Sequence, residues 1–149
     1  MIQNTIELGK GFGPLRFGHG IEPSQDLFGP ADERFEYNDG DIHLRYWQRG
    51  VYLFFPAASG NVLKGIEVER RSGGILLGAS PFELERESII KLLNNHYKIL
   101  TPEDFAVRHN ENGETELFVP RLLVSFFFDD NTVSSVNWSS LNDSEGEPL

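Results

Sequence analysis

The sequence predicts an α+β protein made of two tandem units, each a helix followed by an antiparallel β-meander, sharing one sheet with the helices on one face. Three observations carry that prediction. Short apolar runs with period-two alternation are separated by regular turn signals. A helix is signalled once in each half, by the Pro23 and Gly29-Pro30 brackets in the first and by an apolar stripe over 81–95 in the second. The plan of the first half recurs after 72–75 residues, so residues 1–149 read as one domain with units at 1–72 and 73–141. Residues 142–149 are polar and acidic, the pattern of a frayed tail.

In chain order, Gly9-Lys10-Gly11-Phe12-Gly13-Pro14 reads as a turn-rich lead-in, and Leu15–Phe17 as a short extended piece. Within Ile21–Pro30 a short helix of under two turns is expected, with Pro23 suited to its first position and Gly29-Pro30 as its stop. Strands follow at Arg34–Tyr37, Ile42–Gln48, Val51–Phe55 and Val62–Arg70, divided at Asn38-Asp39-Gly40, Arg49-Gly50 and Ser59-Gly60-Asn61. Ile42, Leu44 and Tyr46 alternate with His43, Arg45 and Trp47, as a strand with one buried face requires.

Ser72-Gly73-Gly74 opens the second half, and Ile75-Leu76-Leu77 is a short apolar stretch. Ser80-Pro81-Phe82-Glu83 has the spacing of a capping box, from which a helix runs to about Asn95 with Phe82, Ile89, Ile90, Leu93 and Tyr97 as its stripe. A Ser80 cap contributes about 1 kcal/mol. Three more strands are predicted at Thr115–Val119, Leu122–Phe128 and Val133–Trp138.

Composition removes several function classes. The chain has no cysteine, which excludes disulfides and thiolate metal sites. Its net charge is −10, and residues 72–149 hold 5 basic against 13 acidic residues. Direct nucleic-acid binding, which needs clustered Lys and Arg to displace counterions, is disfavoured; a basic protein partner is allowed, and the alternative is that the acidic charge serves solubility. The N-terminus carries neither a basic leader nor an apolar run, so a cytoplasmic protein without a membrane span is expected.

No catalytic constellation emerges. Gly9, Gly11 and Gly13 lack the G-K-[ST] of a phosphate loop. His19, His43, His96 and His109 are scattered without metal-ligand spacing, and there is no G-x-S-x-G elbow. Asp129-Asp130 and Glu103-Asp104 follow turn and cap chemistry. No cofactor, metal or enzymatic activity is expected. The aromatic residues on predicted strands are the better signal, because rings on a sheet face anchor protein interfaces. Candidate partner-binding residues are therefore Trp47 with its strand neighbours Arg45 and Tyr46, and the acidic Glu114, Glu116, Asp129 and Asp130.

The opening Gly11-Phe12-Gly13-Pro14-Leu15-Arg16-Phe17-Gly18, the helix ending Leu27-Phe28-Gly29-Pro30-Ala31-Asp32, and the later Ser80-Pro81-Phe82-Glu83-Leu84 and Leu122-Leu123-Val124-Ser125-Phe126 resemble bacterial immunity proteins of polymorphic or contact-dependent toxin systems. The helix-then-meander duplication is similar to the fold of the β-lactamase inhibitor protein. The resemblance implies an intracellular antidote, monomeric or weakly dimeric, that binds a cognate and basic, nuclease-type toxin domain and blocks its active site. The alternatives are a protein-interaction or assembly domain with another partner, and a small-ligand-binding protein.

Overall fold

The computed structural model describes residues 4–98, 102–111 and 113–141. The strands are β1 (Thr5–Glu7), β2 (Gly11–Phe12), β3 (Leu15–Arg16), β4 (Glu33–Glu36), β5 (Ile42–Tyr46), β6 (Val51–Phe55), β7 (Gly65–Glu69), β8 (Ile75–Leu76), β9 (Ala106–His109), β10 (Thr115–Val119), β11 (Val124–Asp129) and β12 (Thr132–Ser139). The helices are α1 (Ile21–Phe28) and α2 (Arg86–Tyr97).

Eight strands form one antiparallel sheet in the order β4-β5-β6-β7-β12-β11-β10-β9. The first four strands follow chain order and the last four reverse it, and the runs meet where Val68 faces Val136 and Ile66 faces Trp138. A second, four-stranded sheet has the order β3-β2-β1-β8, and its β1–β8 pair is parallel, with Thr5 opposite Ile75. Residues from both halves of the chain therefore build the small sheet. The β2–β3 turn is tight enough to demand glycine: a Cβ on Gly11 would lie 1.9 Å from the Leu15 carbonyl oxygen.

Alternation sorts the large sheet into two faces. Ile42, Leu44 and Tyr46, then Leu53, Phe55, Ile66, Val68, Phe126, Val136 and Trp138, are buried in one continuous core. The small sheet and both helices supply the other wall of that core. Phe12 of the small sheet meets Trp138 at 6.3 Å and Phe28 of α1 at 6.2 Å, and Phe28 meets Tyr46 edge-on at 4.9 Å. Ile89 and Leu93 of α2 are fully buried in the same cluster, as the helical stripe required.

The α+β class holds, but the chain is mostly sheet, and two tandem helix-plus-meander units sharing a single sheet do not describe it. Thr5–Glu7 and the Ile75-Leu76 stretch pair with each other across the chain, a long-range contact that neither segment signals alone. The capping box also does not form. Pro81–Glu83 is a 3-10 turn, Leu84 is extended, and α2 starts at Arg86 with no side-chain cap bond at Ser80. Glu83 and the Phe82 carbonyl are instead held by Arg70, at 2.8 and 2.7 Å. Strand β9 was not predicted because its residues are half-buried or exposed, which leaves no alternating pattern. The predicted strand over Leu122–Phe128 starts later, since Leu123 is left-handed (φ +49°) at the end of a 3-10 turn. The acidic segment 142–149 lies outside the described residues.

Candidate functional site

The face of the large sheet opposite the helices is set by register. Glu33 and Phe35 pair with Arg45 and His43, which pair in turn with Tyr52 and Phe54. Tyr52 faces Glu67, and Glu67 faces Asn137. On the far side Glu116 pairs with Phe127 and Arg108, and Phe118 with Ser125 and Ala106. One face of the molecule thus carries rings toward both edges and polar side chains along its middle. None of the described helices covers it.

The β4–β7 side of this face is the more built. Arg45 stacks over Phe35 at 3.9 Å, lies 5.6 Å from the Trp47 ring, and donates to the Tyr37 hydroxyl at 3.0 Å. Trp47 is 40% exposed, meets Tyr52 edge-on at 5.4 Å, and its indole N–H donates to Glu33. His43 lies between Tyr37 and Phe54, at 4.6 and 4.7 Å. The Phe54 ring lies over Gly65, where a Cβ would come within 3.3 Å of it. Tyr52 donates its hydroxyl to Glu69 at 3.1 Å and accepts from Arg71 at 3.2 Å. His43, Arg45, Trp47, Tyr52, Phe54, Glu67 and Glu69 enclose a shallow cleft of about 320 Å³.

Burial sets the electrostatics of the cleft. It lowers the pKa of His43, with the Arg45 charge adding, so the imidazole is neutral at pH 7. It raises that of Tyr52. It also raises that of Glu67, an effect partly offset by the Asn137 amide and reinforced by Glu69 and Glu114. Glu67 accepts from Asn137 at 3.3 Å and has no cationic partner among the described residues.

The sequence candidates fall into four groups. Trp47 and Arg45 lie on the open face and line its cleft. Tyr46 does not: it is 2% exposed on the core side, donates to the Gly29 carbonyl at 2.7 Å, and burial pushes its pKa up to about 12. Glu116 lies on the far half of the same face, accepting from Ser125 at 2.7 Å and lying 3.7 Å from Arg108. Glu114 is beside it, 3.5 Å from the Ser134 hydroxyl. Asp129 and Asp130 occupy the exposed β11–β12 turn, with Asp130 left-handed (φ +64°), and line a separate cleft of about 600 Å³ with Arg70 and Arg71. Sequence reasoning missed Glu67 and Asn137. The Ile66/Val68 alternation places Glu67 outward, but only the register shows that it lies beside Tyr52.

Among the described residues no group of three or more His, Asp or Glu side chains is placed to hold a metal ion. Among the described residues no helix is long and apolar enough to cross a membrane. No protein-family model matches the chain, and no curated protein matches it. A crystal structure of a cysteine-rich secretory protein from Staphylococcus aureus subsp. aureus Mu50 is similar over 93% of this chain, at 15% identity and a TM-score of 0.48. The chain spans 48% of that protein. So distant a likeness assigns neither family nor function.

Proposed function

We propose that this chain is a non-catalytic inhibitor of the bacterial immunity type, acting in the cytoplasm, whose open sheet face docks on a basic toxin domain and blocks its active site. The observation that carries the reading is that face itself: eight strands wide, uncovered by the described helices, with ring-bearing anchors and carboxylates side by side. Rings supply desolvated contact area at low entropic cost, and the aromatic and arginine content matches the residues that dominate protein interfaces.

Charge argues for a basic partner. The chain is at −10, and Glu33, Glu67, Glu69, Glu114 and Glu116 all lie on or beside this face. A negative surface speeds encounter with a positive one and rejects like-charged competitors. On a nuclease-type toxin such carboxylates would take the place of substrate phosphates.

Co-expression with the protein encoded beside it tests the proposal. Growth arrest by the neighbour, relieved by this chain and restored by Trp47→Ala together with Tyr52→Ala, is the expected result. A toxic neighbour that this chain binds but does not neutralise, or does not bind at all, overturns it.

A further inference from the structure

Two of the three carboxylates around the open-face cleft are already engaged. Glu33 accepts the indole N–H of Trp47. Glu69 accepts from Arg71 at 2.9 Å and from the Tyr52 hydroxyl at 3.1 Å. The cations are committed as well: Arg71 to Glu69 and Tyr52, and Arg45 to the Phe35 ring and the Tyr37 hydroxyl. Glu67 is the exception. It lies at the centre of the sheet opposite Tyr52, held by the amide of Asn137 and by no cation among the described residues.

A partly desolvated carboxylate in a cleft of rings is the complement of one kind of group. The Tyr52, Trp47 and Phe54 rings offer negative π faces that attract a cation, and Glu67 offers an acceptor. The planar guanidinium fits better than an ammonium, because it stacks on a ring while its N–H fork reaches a carboxylate. The molecule already stacks guanidinium on rings at three places, Arg45 over Phe35, Arg49 over Phe28 at 3.5 Å and Arg108 over Phe118 at 4.9 Å. At about 320 Å³ the cleft lies at the small end of ligand sites, which run from about 300 to 1,000 Å³.

We infer that the cleft between Tyr52, Phe54 and Glu67 is an arginine-side-chain subsite, into which a basic protein partner inserts one guanidinium over the ring of Tyr52 and against Glu67. The inference rests on the proposed docking face and specifies what that face captures.

The test is an NMR titration of the full chain at neutral pH with N-acetyl-arginine methylamide, read at the indole N–H of Trp47. Trp138, buried in the core, is the internal control for an intact fold. The neutral isostere N-acetyl-citrulline methylamide and the lysine analogue are run alongside. A saturable shift at Trp47 is expected, with a dissociation constant of about 1–10 mM, the range of one isolated contact. Citrulline binds about fivefold or more weakly, and Glu67→Gln weakens the arginine analogue by a similar factor while the Trp138 resonance stays in place. Equal responses to arginine and citrulline, or an unchanged constant in Glu67→Gln, overturn the subsite. An equal response to lysine overturns its assignment to a guanidinium. A failed titration beside successful neutralisation removes the subsite and leaves the docking face. A specific arginine site in a chain that neutralises nothing keeps the subsite and removes the toxin.

Discussion

Tyr46 and Trp47 are adjacent in sequence and lie on opposite faces of β5, so substituting them separates stability from binding. Tyr46 is 2% exposed, packs edge-on against Phe28, and anchors the end of α1 through a 2.7 Å bond to the Gly29 carbonyl. Tyr46→Phe keeps the ring and deletes that bond. The loss is about 1 kcal/mol, rising to about 2 kcal/mol because the carbonyl is left without its donor. Tyr46→Ala also removes the ring and leaves a cavity, for about 3–5 kcal/mol. Trp47 is 40% exposed, and Trp47→Ala costs under about 1 kcal/mol. Urea denaturation followed by circular dichroism measures all three, and an unchanged slope shows that the unfolding reaction is the same. The partner affinity of Tyr46→Phe stays at the parent value, and that of Trp47→Ala falls. A Trp47→Ala variant destabilised more than Tyr46→Phe would refute the face assignment.

Gly11→Ala forces a methyl against the Leu15 carbonyl, and calorimetry is expected to show a loss of about 1–3 kcal/mol, the usual cost of overpacking. Ser80→Ala changes stability by less than about 0.5 kcal/mol, since no cap bond exists to lose; a drop near 1 kcal/mol in urea denaturation would restore the capping box. Burial raises the pKa of Glu67 above its unfolded value, so its contribution to stability is full below the ordinary carboxylate range and is lost as pH rises through the raised value. Glu67→Gln therefore makes the fold more stable than the parent at pH 7, and the advantage disappears below about pH 4. Paired denaturation curves at the two pH values check the sign, and a variant less stable than the parent at pH 7 contradicts it.

The elements that the sequence made legible are those whose signals are local. Ile42, Leu44 and Tyr46 alternate with half-buried polar neighbours, and the strand and its faces follow directly. Ile89 and Leu93 mark the buried side of α2 through helical spacing. The small sheet was hidden because β1 and β8 are two to three residues long and acquire meaning only when Thr5 meets Ile75. Ser80 misled because a motif of the right spacing competes with Arg70, which takes the Glu83 carboxylate from outside the segment. For the site, alternation pointed outward for Trp47 and Arg45, and the same alternation argued against including Tyr46. Glu67 depends on the β6–β7 register across the loop at residues 56–64, and no local pattern fixes that register.

The claim on which the rest depends is that recognition occurs on the uncovered sheet face. The most direct measurement is the NMR footprint of the proposed partner, the protein encoded beside this chain, titrated into the isotopically labelled protein. The account predicts perturbations centred on Trp47, Tyr52, Phe54 and Glu67 and extending toward Glu116, with the α1 and α2 resonances unmoved. A footprint on the helices or the small sheet, with the Trp47 indole unchanged, would contradict it.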